Sequence, residues 1–258
     1  MTEHHINTDH IKKSADMPTP VACAFLDDKG DRSFSFIQTQ NTLDKLTEGC
    51  IDYGLIDNCK ILHIAGALFN SQSTYDTAKK VISYACKKEI AISCDVNYRS
   101  GKYDGSYARK KILPLLEKIN ILKISEEEWQ LMLVSNDPVM GSKQLLRDPV
   151  KLIITTLGPR GCYYRYKGGD GTCPTYDTKV VNTIGAGDAF FGALHYRLTK
   201  ADVSIDEISM EEMRDMMDFA NAAGSLEAAS NGAITAMPDL RAIEKCRKEI
   251  PYINIEQV

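Results

Sequence analysis

A short glycine-rich segment followed by an acidic residue is the part of this 258-residue chain best suited to chemistry. It contains Gly185, Ala186, Gly187 and Asp188, and it runs directly into a helical pattern of apolar residues. Backbone N–H groups at the start of a helix lack partners within the helix and therefore attract anions. An aspartate beside such a site can accept a proton from a hydroxyl group. The segment predicts a phosphate site with Asp188 as general base, although an ordinary acidic residue in a first helical turn has the same pattern.

The elements that must position this segment alternate along the chain. Apolar runs typical of strands occupy residues 60–65, 90–95, 120–124, 151–156 and 161–166. Apolar residues at helical spacing cover 73–89 and 107–118, and further helices begin near Ser125, Gly187 and Met210. Strands that alternate with helices predict an α/β fold, in which a largely parallel central sheet is flanked by helices.

An earlier segment does not follow this alternation. Residues 21–26 and 33–37 are rich in β-forming residues, and Gly30 lies among turn-forming residues between them. This pattern predicts a β-hairpin. We expect the hairpin to form a small β lid or an interface, and because its exposed edge needs a partner or protection we expect a homodimer.

Composition and charge exclude several classes of protein. The chain has 31 Lys and Arg against 35 Asp and Glu, a net charge of −4, and 43% hydrophobic residues, which is ordinary for a globular protein. The acidic pI of about 5.8 gives no general attraction to nucleic acid or to a membrane surface. The eight cysteines form no CxxC pair, so we expect reduced thiols. With no apolar span and no signal peptide visible, we expect a cytoplasmic protein without nucleic-acid or membrane partners.

Four blocks, one of which contains the glycine-rich segment, support a specific resemblance. The segments 182–188, 95–99, 123–128 and 30–36 stand in an order that resembles the ribokinase-like (PfkB) carbohydrate kinases, and most closely their fructokinase branch. The resemblance covers nearly the whole chain. It implies a ribokinase-like α/β fold, with residues 1–20 poorly assigned, 21–40 as part of the β lid, and 41–258 as the kinase domain with its nucleotide site in the C-terminal half. It also implies that the chain uses ATP and Mg²⁺ to phosphorylate a sugar hydroxyl.

The resemblance assigns roles to individual positions. Asp188 would be the catalytic base, and Gly185, Ala186 and Gly187 would form the anion hole. The nucleotide would contact Thr156, Gly158, Gly161 and Ser125, with Asn221 near the adenine. The phosphates or the sugar would contact Asn97, Arg99 and Gln38. Glu128 would bind Mg²⁺ through water, and backbone carbonyls around Asn182, Ile184 and Gly232 match a loop that binds a monovalent cation such as K⁺ in many members.

Some of these positions have a simpler interpretation. Ser125 and Glu128 form the pattern of a helix capping box, which alone accounts for the glutamate. Arg99 could be a surface arginine, although it follows a strand end, where ligands gather in open α/β sheets. His63 and His195 are expected to be structural, because nothing pairs them with a nucleophile.

The lid residue Gln38 bears on the choice of sugar. Relatives that act on 2-keto-3-deoxygluconate carry an arginine at the matching position, which binds the substrate carboxylate. Glutamine cannot provide that charge-assisted contact, but it can bond to hydroxyl groups. We therefore expect a neutral sugar, with fructose first and 2-keto-3-deoxygluconate as the alternative.

The chain departs from the family pattern in three places. Asn182 stands where the family usually has Asp, and Ser125 stands where many members have Asn. Nothing in residues 1–20 resembles the family's N-terminal block, which binds sugar hydroxyls. We expect either a truncated form or a short relative, and a non-catalytic fragment that binds nucleotide remains an alternative. An oxidoreductase is excluded because no G-x-G-x-x-G follows an early strand.

Overall fold

The structure is a computed structural model that describes residues 6–16, 19, 21–26, 32–37, 45–97, 105–132, 137–201 and 203–254. The strands are β1 (Val21–Leu26), β2 (Arg32–Ile37), β3 (Ile61–Ala65), β4 (Ala91–Asp95), β5 (Ile121–Ser125), β6 (Leu152–Thr156), β7 (Cys162–Tyr166) and β8 (Gly169–Cys173). The α-helices are α1 (Tyr53–Asp57), α2 (Gln72–Lys87), α3 (Gly105–Ile112), α4 (Glu126–Met132), α5 (Pro138–Leu145), α6 (Ala186–Lys200), α7 (Met210–Ala228) and α8 (Leu240–Glu249).

Six strands form one sheet in the order β3-β4-β5-β6-β7-β8. The pairs from β3 to β6 are parallel, while β7 and β8 are antiparallel neighbours at one side. The predicted α/β fold with a largely parallel sheet is therefore confirmed. The helix predicted over 107–118 is α-helical only to Ile112 and continues as a 3₁₀ helix over Leu113–Lys118, because Pro114 cannot donate the next helical hydrogen bond.

Helices cover both faces of this sheet. Successive residues of a strand point to opposite faces, so Leu122 packs with Ile82 and Trp129 on one side. Its neighbour Ile121 packs on the other side, with Phe190 of α6 and Met217 of α7. The sheet thus separates two apolar cores, and α6 lies directly against one of them.

Among the described residues, no helix combines the length and the apolar character that a membrane crossing requires.

Strands β1 and β2 form a separate antiparallel hairpin. Val21 pairs with Ile37 and Leu26 with Arg32. The predicted hairpin is therefore confirmed, while its function as a lid stays a prediction. The expected reduced cysteines also agree with the structure, in which Cys94, Cys162, Cys173 and Cys246 are buried free thiols.

Candidate active site

The carboxyl ends of the parallel strands bring most of the predicted site residues to one edge of the sheet. Strand β4 ends at Asp95, two residues before Asn97, while β5 ends at Ser125 and β6 at Thr156. Ser125 and Thr156 are direct register partners. Asn97 has a positive φ of 38°, a conformation that asparagine adopts more readily than most residues. Open α/β sheets bind ligands at this edge, so the residues predicted from separate motifs converge where a ligand is expected.

The glycine-rich segment forms the N-terminus of α6. Gly185 is the N-cap residue with φ of +99°, the helix begins at Ala186, and Asp188 is an exposed residue of its first turn. Ala186 N–H donates a long bond of 3.4 Å to Thr183 O. The following N–H groups of a first turn have no intrahelical acceptor, and the helix dipole adds positive potential there. The segment therefore has the geometry of an anion site with a carboxylate beside it.

Glycine at position 185 is required by more than its positive φ. A Cβ on Gly185 would lie 3.0 Å from Cδ of Glu227 and closer still to its Oε1. Glu227 is a fully buried residue of α7. The same Cβ position lies 3.6 Å from Cα of Ala233. The loop before α6 is thus packed against the end of α7 and the segment that follows it.

That packing brings together the residues predicted to surround a monovalent cation. The N–H groups of Val181 and Asn182 both donate to Ala228 O, which ties this segment to the last residue of α7. Asn182 Oδ1 accepts a hydrogen bond of 2.9 Å from Ile184 N–H. Gly232 has φ of +117° and directly precedes Ala233. The structure therefore places the two predicted cation-binding segments side by side, and cation binding itself stays a prediction.

Glu128 lies at the start of α4. Its Oε2 accepts a hydrogen bond of 2.7 Å from Ser125 N–H, and the residue is 6% exposed. This bond is the glutamate half of the predicted capping box. It fixes a carboxylate at the ligand edge of the sheet, next to the end of β5. No group of three or more His, Cys, Asp or Glu side chains within the described ranges has metal-binding geometry, so a metal here would need ligands from water or phosphate.

The turn between β6 and β7 contains the glycines predicted to contact nucleotide. Gly158 and Gly161 both have positive φ, of 58° and 87°. A Cβ on Gly161 would overlap the carbonyl oxygen of Cys173, whereas a Cβ on Gly158 would meet no atom within 4 Å. Gly161 therefore allows a close approach of two backbones, and Gly158 borders open space at the strand end.

Asn221 is buried beneath this turn, at 5% exposure. Its side-chain amide donates to Cys173 O at 2.9 Å and to Pro174 O at 3.2 Å. These bonds anchor the end of β8 to α7. The structure thus gives Asn221 a structural role, and its contact with adenine stays a prediction.

Two predicted residues, Gln38 and Arg99, lie outside the described residues. The two histidines expected to be structural are described, and the rings of His63 and His195 lie 5.2 Å apart. Burial, aided by the neighbouring His63 and by Lys123, lowers the pKa of His195 to about 4. Burial also lowers the pKa of His63. The imidazole of His195 is therefore neutral near pH 7.

The sequence analysis missed a buried ion pair at this site. Lys123 of β5 and Asp95 of β4 are 7% and 4% exposed, and neither was assigned a function. The sequence could have indicated this pair, because each strand carries a charged residue in an otherwise apolar run. Lysine and aspartate are rarely buried without a partner. Glu227, in an apolar stretch of α7, carried a similar signal.

Comparison with known proteins places these features in a family. Residues 1–240 match the model described as pfkB family carbohydrate kinase. The chain is 30% identical over 250 residues to the Arabidopsis thaliana protein named "Probable fructokinase-6, chloroplastic". That alignment covers 95% of the chain and 64% of the relative, so the chain spans somewhat less than two thirds of that protein.

Solved structures show the same fold. A fructokinase from Xylella fastidiosa with bound ATP superimposes with a TM-score of 0.82 at 23% identity, covering 96% of this chain and 79% of that one. A fructokinase from Vibrio cholerae O395, with fructose, ADP and calcium ion bound, has a TM-score of 0.81 at 24% identity, covering 95% and 78%. At these identities the likeness establishes the architecture, including the mostly parallel sheet and its flanking helices.

Proposed function

The chain belongs to the pfkB family of carbohydrate kinases, and we propose that it transfers the γ-phosphoryl group of ATP to a hydroxyl group of a sugar, with fructose as the preferred acceptor. The family resemblance drawn from its motifs is confirmed by the match over residues 1–240. The observation that carries the proposed activity is the start of α6, where a glycine-rich N-terminus and an exposed Asp188 adjoin at the ligand edge of the sheet.

The proposed mechanism uses two parts of this segment. Asp188 accepts the proton of the sugar hydroxyl as its oxygen attacks the γ-phosphorus. The bond between that phosphorus and the bridging oxygen of ADP breaks in line with the attack, and ADP leaves. The N–H groups at Gly187 and its neighbours, with the helix dipole, stabilise the negative charge on the transferred phosphoryl oxygens. The exposed position of Asp188 leaves it accessible to a substrate hydroxyl.

The nucleotide and metal positions are part of the same proposal. Thr156, Gly158 and Gly161 would border the nucleotide at the end of β6. Mg²⁺ would supply charge neutralisation on the phosphates, and the buried carboxylate of Glu128 provides the oxygen type that Mg²⁺ prefers. Carbonyl oxygens suit K⁺ as well, and the adjacency of the Asn182–Ile184 and Gly232 segments supports a monovalent cation there.

Fructose is proposed as acceptor on two grounds. The relative with 30% identity is named as a fructokinase. In addition, Gln38 replaces the arginine that would bind a carboxylate in relatives acting on 2-keto-3-deoxygluconate. A hydrogen bond to a charged group contributes about 1.5–3 kcal/mol, so loss of that contact disfavours the acid.

We also propose a homodimer in which the hairpin edge is protected.

The proposed function is tested by sugar-dependent release of ADP, measured with fructose and with 2-keto-3-deoxygluconate. We expect a higher kcat/KM for fructose. A higher value for the acid would reverse the assignment of the substrate. Binding of ATP without ADP release in the presence of either sugar would instead identify a non-catalytic nucleotide-binding protein.

A variant pair links the activity to the site. Asp188→Asn removes the base, whereas Asp177→Asn changes an exposed aspartate outside the site. We expect ADP release to be lost in the first variant and unchanged in the second. Equal activity in both variants would refute the role of Asp188.

A further inference from the structure

A buried lysine–aspartate pair lies in the layer between the sheet and α6. Lys123 and Asp95 are direct register partners on β5 and β4, so their side chains leave the sheet on the same face. Lys123 Nζ donates to Asp95 Oδ2 at 2.7 Å. The two side chains are 8% and 5% exposed. The pair is therefore held in a fixed position by the register of the central strands.

The ammonium group lies directly against the first turn of α6. Lys123 Nζ is 3.2 Å from the point where a Cβ on Gly187 would stand, and Cε is 3.6 Å from it. Nζ also lies 5.7 Å from the ring centroid of Phe191, one turn further along α6. A side chain at position 187 would therefore be in tight contact with the ammonium group, which would have to move by a few tenths of an ångström. The charge thus lies beside the glycine-rich segment.

A contribution to stability alone does not explain why this ion pair is buried. Desolvation of two charges costs about as much as their attraction returns, so buried ion pairs often add nothing to stability compared with apolar residues. A positive charge behind backbone N–H groups, by contrast, raises the potential at the point where an anion gathers charge. Asp95 keeps the ammonium at that position by holding its Nζ.

We propose that Lys123, oriented by Asp95, is a positioning residue for phosphoryl transfer: it supports the Gly185–Gly187 segment from behind and adds to the positive potential at its N–H groups. This inference rests on the proposed kinase activity and deepens it. Lys123 acts through the backbone of the segment, so it contributes to the rate of transfer and not to the binding of the sugar.

The test compares neutral replacements of the pair. Lys123→Met alone would leave a buried, unpaired carboxylate and could prevent folding. The double variant Lys123→Met/Asp95→Asn removes both charges and keeps similar volumes, so we expect it to fold with a melting temperature close to that of the parent. We expect its kcat to fall about 10- to 100-fold, which is less than the 10²–10³-fold loss on removal of a direct oxyanion donor because Lys123 acts through the backbone. KM for the sugar should stay unchanged within about twofold. The single variant Lys123→Arg keeps the positive charge, so its kcat should fall less than the kcat of the double variant.

Lys151→Met provides the matched control. Lys151 forms a 2.8 Å ion pair with Asp206, and it directly precedes β6, at the amino end of the sheet opposite the proposed site. We expect this variant to keep the parent kcat. A folded double variant that retains more than half of the parent kcat would overturn the inference, and so would a loss in Lys151→Met equal to that in the double variant. Absence of sugar-dependent ADP release from the parent protein would refute the proposed function instead.

Discussion

Replacing Gly185 with alanine perturbs the candidate site at the position where the backbone is most constrained. Gly185 has φ of +99°, which costs an L-residue about 1–2 kcal/mol. The new Cβ would also lie 3.0 Å from Cδ of the buried Glu227 side chain and closer to Oε1. Overpacking of this kind costs about 1–3 kcal/mol. The expected loss in the free energy of unfolding is the sum of the two, about 2–5 kcal/mol.

The same substitution should also slow catalysis. Relief of the contact with Glu227 moves the N-terminus of α6 away from the position that the phosphoryl oxygens would occupy. Loss of one well-placed donor to a developing anion lowers kcat by about 10²–10³. Thermal unfolding measures the first effect, and sugar-dependent ADP release measures the second.

Gly192→Ala serves as the control on the same helix. Gly192 is exposed within α6, and a Cβ there would meet no atom within 4 Å. Alanine is favoured over glycine in a helix interior by about 1 kcal/mol, so this variant should be slightly more stable and equally active. If Gly185→Ala keeps the parent melting temperature and kcat, the argument from backbone conformation and packing is wrong.

Three further predictions follow from the structure. Asp188→Asn should lower kcat at least about 100-fold and leave ADP affinity within about twofold, measured by ADP release and by calorimetry. The pKa of His195 falls from 6.5 to about 4 on folding because of burial, so the unfolded chain binds more protons in this range and stability should decrease as pH falls from 6.5 to 4. The decrease should reach at most about 3 kcal/mol and should largely disappear in His195→Phe, as followed by urea unfolding. Gly141→Ala places a Cβ 2.5 Å from the buried ring of Trp129, which should destabilise by about 1–3 kcal/mol and shift the emission of this single tryptophan.

The strands of the central sheet were largely predictable from the sequence. Each of the five predicted runs from 60–65 to 161–166 overlaps an observed strand. Every strand begins one residue later than predicted, and only the strand predicted over 120–124 also ends one residue later. Buried parallel strands consist of continuous apolar runs, which stand out against turn residues and charged helices. Such runs were sufficient here because burial on both faces favours apolar residues at successive positions.

The elements that were missed have weak or short patterns. Strand β8 contains two glycines in five residues, a composition that does not favour a strand. It forms because β7 offers it an edge to pair with. The N-cap residues of α5 and α8 are Asp137 and Asp239, whose side chains accept from Val139 N–H and Ala242 N–H. Those N-cap residues were visible signals, but α5 is short and neither segment carries a long apolar stripe.

The local part of the candidate site was predictable, and the part beneath it was not. The glycine-rich start of α6 is a contiguous motif, so its residue types alone suggest an anion site. The charges that adjoin it come from three distant segments: Lys123 on β5, Asp95 on β4 and Glu227 on α7. Which residues meet depends on strand register, because a slip of one residue would turn Lys123 to the other face of the sheet.

This dependence on register has a functional consequence. The pairing of Lys123 with Asp95 holds only while β4 and β5 keep their observed alignment, in which Cys94 also faces Leu122. The apolar cores on the two faces of the sheet maintain this alignment, and they include many residues outside the site. A substitution in either core that shifts these strands would therefore move a buried charge relative to the N-terminus of α6. We infer that core substitutions around β4 and β5 slow phosphoryl transfer even though the substituted side chains lie far from Asp188.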